Sequence, residues 1–193
     1  MRVFIDCVIL SQSFTNYDMP YQYKREPLSA DDANRLANAC ESYLEKLIVW
    51  TLLDTGLRVS ELCRLTKDNI DWQAHRITIY GKGGPYGHKS KRRVIPLSSR
   101  IRPLIEQHFS LNGTLGVSPR TVQRLLKKIA NRGQISKPAS PHVLRHTFSV
   151  TAVQKGISLP TLQRLLGHDR LTTTEIYLNL SPKHVIDEFT AKW

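Results

Sequence analysis

Apolar residues recur along this chain at helical spacing, and capping residues mark where each run begins. Ser29, with Asp32 three residues on, predicts a helix running to about Cys40. A second helix is expected from Ser42 to Asp54, with Leu44, Leu47, Ile48 and Leu52 on one face and a stop at Gly56. Arg58 to Leu65 reads as a short helix. His75 to Tyr80 alternates as a strand does, a Gly-rich loop follows, and Lys91 to Leu97 fits the second strand of a hairpin. Beyond it the pattern is helical again. Ser118-Pro119 opens a basic amphipathic helix to about Arg132, and Ser140-Pro141 opens another that ends near Gly156. Ser158 starts a helix closed by Gly167, Thr172 to Leu178 forms a short one, and Ser181-Pro182 begins the last. These elements predict a mainly α domain with a small antiparallel β-sheet, an α+β fold. Residues 1–26 show no helical period and read as an N-terminal arm or linker, which leaves 27–193 as the folded domain.

Charge narrows the partner. The chain has 193 residues, enough for one proper core, and 28 Lys+Arg against 16 Asp+Glu give a formal net charge of +12. The excess is localised: Lys82 to Lys137 holds thirteen Lys and Arg and one acid, Glu106. A short basic run is usually a solvated face, but one spanning fifty residues favours a polyanion. Cys7, Cys40 and Cys63 are odd in number and lack paired metal spacing, and the last two lie in apolar helical patterns as buried thiols. A reducing, intracellular setting follows. The stretch from Met1 to Leu10 is too short to span a membrane and is interrupted by Asp6, so neither an anchor nor a signal peptide is expected.

The chemistry-bearing residues fall in four segments. His142 and Arg145 stand three apart at a Pro-initiated helix start, on one face, where free N–H groups favour an anion. His142 and His146 have the i,i+4 spacing of a zinc pair, but His-Val-Leu-Arg-His lacks the metalloprotease glutamate. Leu166-Gly167-His168 is followed nine positions on from His168 by Tyr177. Arg58 and Glu61 lie in Thr55-Gly-Leu-Arg-Val-Ser-Glu-Leu62, just past a helix stop that can aim Arg58 inward. The loop Gly81-Lys82-Gly-Gly84 fails as a P-loop because His88 separates Gly87 from Lys89. No carboxylate cluster points to Mg²⁺, and no cofactor is implied. Two arginines, two histidines and a tyrosine suit attack on a phosphodiester. Arginine forks grip two phosphate oxygens and stay charged, and fixed donors neutralise the developing anion.

In these segments the chain resembles the tyrosine recombinases, or phage-integrase family, from about Leu28 to Phe189. The resemblance implies that family's catalytic-domain fold and that Arg58 and Arg145 are the two arginine clamps. It makes His142 the neighbour of Arg145, gives His168 a contact to the scissile phosphate, and makes Tyr177 the nucleophile. Glu61 would orient Arg58 or a neighbouring group. A phenol with a pKa of about 10 needs adjacent cations and a base to attack. The resemblance further implies Lys82 as the acid that protonates the leaving 5′ oxygen. The loop here carries the insertion Pro85-Tyr-Gly-His-Lys-Ser90, so Lys89 and Lys91 are alternatives. Lys89, Lys91, Arg92, Arg93, Arg120, Arg124, Lys127 and Lys128 are the candidate DNA-binding residues of the basic stretch.

The implied activity is metal-independent cleavage and rejoining of double-stranded DNA through a 3′-phosphotyrosyl intermediate, without ATP because the bond energy is conserved. The family works as tetramers on DNA, and the segment from Tyr177 to Trp193 could dock into a neighbour. A cytoplasmic or nucleoid setting in a prokaryote, or carriage on a mobile element, goes with that. The family's usual N-terminal DNA-clamping domain does not fit in 26 residues, which suggests a fragment or a minimal recombinase. Two alternatives are type IB topoisomerase-like relaxation and a DNA-binding protein of the same fold without activity.

Overall fold

In the protein, seen here as a computed structural model that describes residues 26–80 and 92–168, seven α-helices combine with one small sheet. Among the described residues the helices are α1 (Ala30–Asn38), α2 (Tyr43–Thr55), α3 (Val59–Cys63), α4 (Arg102–Leu111), α5 (Pro119–Arg132), α6 (Pro141–Gln154) and α7 (Leu159–Leu166). The strands are β1 (Ile70–Asp71), β2 (Arg76–Tyr80) and β3 (Arg92–Pro96), antiparallel in the order β1-β2-β3. This is the mainly α, small-sheet architecture expected from the sequence. The helices expected after Thr172 and Ser181 lie outside the described residues.

Local chemistry sets the helix starts. The Ser29 hydroxyl accepts from the Asp32 N–H at 3.0 Å. Ser42 and Glu45 form a reciprocal capping box, and Ser118 and Ser140 cap helices that begin with proline. Two starts were less visible in sequence. Helix α4 begins without a capping side-chain hydrogen bond, although Ile101, Ile105 and Phe109 recur at helical spacing and are all buried. Strand β1 has two residues, too few to show alternation.

Helix α2 is the centre. Leu47, Ile48, Val49 and Leu52 are fully buried, each contributing about 1.5–3 kcal/mol of apolar transfer, and α1, α4, α5 and α6 pack around them. Ile77, Ile79 and Ile95 turn the inner face of the β2–β3 ribbon onto the same core. A smaller cluster of Ala152, Leu162 and Leu166 joins α6 to α7. Cys40 and Cys63 are free thiols, Cys40 buried and Cys63 half-buried. No helix among the described residues is long and apolar enough to cross a membrane.

Gly56 and Gly167 end α2 and α7 in the left-handed conformation, with φ of 60° and 66°. Gly56 has a second constraint. A Cβ there would stand 2.4 Å from Phe148 Cδ1 and 3.1 Å from Leu166 Cδ2, so the α2 end is pressed against both α6 and α7. Gly56→Ala should therefore destabilise the chain by about 2–4 kcal/mol, combining left-handed strain with overpacking. Gly113→Ala, where a Cβ meets nothing within 4 Å, should stay within about 0.5 kcal/mol. Urea denaturation of both variants checks this, and equal losses would contradict it.

Candidate active site

The α2 stop at Gly56 places Arg58 at the N-cap of α3, where the chain has just turned. Its side chain is 45% exposed and donates from Nη1 to Glu61 Oε1 at 3.0 Å. Glu61, one turn into α3, reaches back to accept the Arg58 backbone N–H at 2.8 Å. Its carboxylate also receives both forks of Arg93, at 2.9 and 2.7 Å. Burial would raise the Glu61 carboxyl, but the Arg93 hydrogen bonds, the Arg58 N–H and the two guanidinium charges outweigh it and hold it at about 2.

Arg145 comes one turn into α6 and is only 6% exposed. It donates to the Gly56 carbonyl at the end of α2, to the Leu166 carbonyl at the end of α7 at 2.7 Å, and to His168 Nε2 at 3.1 Å. Helix C-termini offer such carbonyls, and their dipole favours a cation. A guanidinium can only donate, so Nε2 of His168 accepts and the ring proton of neutral His168 lies on Nδ1. The His168 backbone is fixed as well: its N–H reaches Gln163 O, and its carbonyl accepts from Gln163 Nε2, both at 3.2 Å.

Burial first, then the charges of Arg145, Arg58 and Arg93, push His168 down to about 4. Those three arginines and this histidine thus share one electrostatic site. His142 is exposed in the first turn of α6, and its ring meets that of His146 edge-on at 5.0 Å. Burial, His142 and Arg145 bring His146 to about 4. Among the described residues, no group of three or more His, Cys, Asp or Glu side chains could hold a metal ion.

The structure therefore brings Arg58, Glu61, Arg145 and His168 together, with His142 and His146 on the same helix as Arg145. Lys82, Lys89, Lys91 and Tyr177 lie outside the described residues. Arg120, Arg124, Lys127 and Lys128 are exposed on α5, whose other side buries Val122, Leu126 and Ile129. Arg92 is exposed on β3.

Arg93 is placed differently from the other candidate DNA-binding cations. Expected among the DNA-contacting cations, it is 8% exposed, doubly bonded to Glu61, and donates from Nε to the Leu165 carbonyl at 2.9 Å. Its position two residues before Ile95 puts it on the inward face of β3, a signal the sequence does carry. Other cations of the basic stretch are also paired: Arg100 with Asp54, Arg102 with Glu106, Arg132 with Glu41 and Glu45, and Lys137 with Glu26.

Comparison with known proteins places this geometry. Residues 26–184 match the Phage integrase family, and the chain belongs to it. The tyrosine recombinase XerA of Pyrococcus horikoshii is 31% identical over 173 residues, covering 82% of this chain and 58% of that protein. The corresponding enzyme of Pyrococcus furiosus is 36% identical over 73% of this chain and 52% of its own length. The chain thus spans little more than half the length of these curated relatives. The crystal structure of XerA recombinase superposes with a TM-score of 0.74 at 28% identity, covering 89% of this chain and 66% of that one. The catalytic domain of bacteriophage HP1 integrase gives 0.66 at 26% identity, with 86% of this chain and 95% of that domain covered.

The buried ionisable groups make stability pH-dependent with a definite sign. His146 and His168 titrate near 4 in the folded chain, against about 6.5 when unfolded, so the unfolded state takes up those protons first. Stability is therefore full above about pH 6.5 and falls as the pH drops toward 4, by less per ring than the full shifts imply because water partly screens both half-buried groups. Glu61 adds a loss that begins below about 4.5 and continues through 2. Urea midpoints should decline from about pH 7 to about pH 4, and His146→Asn should flatten that decline. Midpoints that do not move over this range would contradict the burial of both rings.

Proposed function

We propose that this chain is the catalytic domain of a site-specific DNA recombinase, cleaving and rejoining DNA strands through Tyr177. The observation that carries the reading is buried Arg145 bonded to His168, with exposed Arg58, held by Glu61, near enough for its charge to act on the same ring. Donors that are oriented before the substrate arrives cost no reorganisation when charge develops on phosphate oxygens. In the proposed reaction the Tyr177 phenol gives up its proton to solvent as its oxygen attacks the scissile phosphorus. A 3′-phosphotyrosyl bond forms as the bond to the 5′ oxygen breaks. That oxygen takes a proton from Lys82, and Arg58 and Arg145 hold the non-bridging oxygens. His168 can add its Nδ1–H as a neutral donor, and His142 stands at the α6 start as a further phosphate contact. Attack by a 5′-hydroxyl of another duplex returns the bond energy and releases the tyrosine.

Within this reading residues 27–193 form the catalytic unit and 1–26 an arm. Double-stranded DNA is the substrate, and strand exchange between duplexes calls for self-association, as a tetramer, in an intracellular setting. The exposed cations of α5, with Arg92, Lys89 and Lys91, supply backbone contacts that position the duplex without reading its sequence.

Tyr177→Phe should keep DNA binding and lose covalent capture, because only the attacking oxygen is removed. The substrate is a nicked duplex selected from a random-sequence pool by the unaltered chain, and the readout is a denaturing gel. A shifted band from the Phe variant would sink the assignment.

Lys82 is tested by replacing the bridging 5′ oxygen with sulfur, since a thiolate leaves without protonation. Lys82→Ala should cleave the ordinary strand at least about 100-fold more slowly and recover on the sulfur strand. Recovery confined to Lys89→Ala or Lys91→Ala would move the acid to that lysine.

A further inference from the structure

A clamp arginine is useful only if its fork is already aimed, and Arg58 is poorly placed to aim itself. Nearly half its side chain is in solvent, and one exposed ion pair does not offset the rotamer entropy of an arginine. The fixed element is its partner. Glu61 is 5% exposed, and its two oxygens receive a bidentate fork from Arg93 on top of the Arg58 contacts. Parallel fork contacts set the plane of a carboxylate as well as its position. Arg93 is itself immobilised on the opposite side. Its Nε is taken by the Leu165 carbonyl, and a Cβ on Gly167 would stand 3.0 Å from Arg93 Cδ, so its stem lies flat against the α7 end.

We propose that Arg93 is a positioning residue for the phosphate clamp: it locks Glu61 so that Arg58 faces the substrate, and it fastens that lock to the turn that presents His168. The proposal rests on the reading of Arg58 and Arg145 as a phosphodiester clamp. Charge adds to the argument. With Arg93 in place, Glu61 shares its negative charge between two guanidiniums, and the three groups carry a net positive charge. Without Arg93 the carboxylate would neutralise Arg58 and draw it off the phosphate. Arg93 thus supports the clamp without touching DNA, and it cannot turn outward without leaving Glu61 and the Leu165 carbonyl.

The test uses the full chain, the selected nicked duplex, and the same duplex with a methylphosphonate at the scissile position. A methyl group in place of one non-bridging oxygen removes the charge that the clamp neutralises. Arg93→Met should slow covalent capture about 100-fold, the scale of losing one fixed anion donor, and move the duplex Kd by less than about threefold. On the methylphosphonate most of that defect should disappear. Arg58→Ala/Arg93→Met should be no slower than Arg58→Ala, because Arg93 acts through Arg58. Arg93→Lys restores charge without the fork and should recover part of the rate. This variant carries the test if the Met variant does not fold.

Three results would overturn the inference. They are capture within about threefold of the unaltered chain, a defect undiminished on the methylphosphonate, or losses that multiply in the double variant. If the unaltered chain captures neither duplex, the clamp reading itself fails and the inference goes with it.

Discussion

The ends of α2 and α7 impose the constraint around which the site is built. Each helix stops at a left-handed glycine in a crowded interior, and each leaves carbonyls that lack an intrahelical partner. Burying those oxygens unmet would cost about 1–3 kcal/mol apiece. Two arginines answer them. Arg145 joins the Gly56 and Leu166 carbonyls, and Arg93 takes that of Leu165. The same interactions that complete the helix ends therefore fix the direction of the guanidiniums. Carbonyl dipoles orient a cation without cancelling its charge, so Arg145 is held in place with its charge intact.

Arg93 is treated differently, and the contrast divides structural from functional charge. A fully formed carboxylate faces it, and its net contribution is mechanical more than electrostatic. A buried ion pair is weak evidence for stability in itself, because desolvation offsets much of the Coulomb gain. Its value here lies in geometry: α3, β3 and α7 meet at one planar contact, and each brings a different part of the site. Burial first, and then the local positive field, keep His168 neutral. A neutral ring whose Nε2 accepts from Arg145 offers a donor at Nδ1, so the tautomer follows from the same network.

Local features of the fold were legible in the sequence because local chemistry decides them. Ser29, Ser42, Ser118 and Ser140 mark helix starts through bonds to N–H groups three residues on, and Gly56 and Gly167 mark ends. Helix α4 was harder to see because its start has no side-chain cap bond, and β1 because two residues carry no period. Arg58, Arg145 and His168 were legible as motif residues, while their mutual contacts were not. The Arg145 bond to Gly56 crosses 89 positions, and Arg93 to Glu61 crosses 32. Counting charge within one window misled for the same reason. Glu26, Glu41, Glu45, Asp54 and Glu61 all lie before Lys82, and each takes a cation from the basic stretch.

What remains of that stretch has a defined place. Arg120, Arg124, Lys127 and Lys128 occupy the outer face of α5, and the inner face packs on α3 and α6, the helices that begin at Arg58 and carry Arg145. Under the proposed function this matters more than the net charge. Contacts to a duplex backbone through α5 would set the register of the scissile phosphate relative to the clamp, because the core between them is close-packed. A shift of about 1 Å in such a register can cost about 100-fold in rate. On that proposal the apolar seam formed by Val122, Leu126 and Ile129 would be as much a part of phosphate positioning as the cations above it.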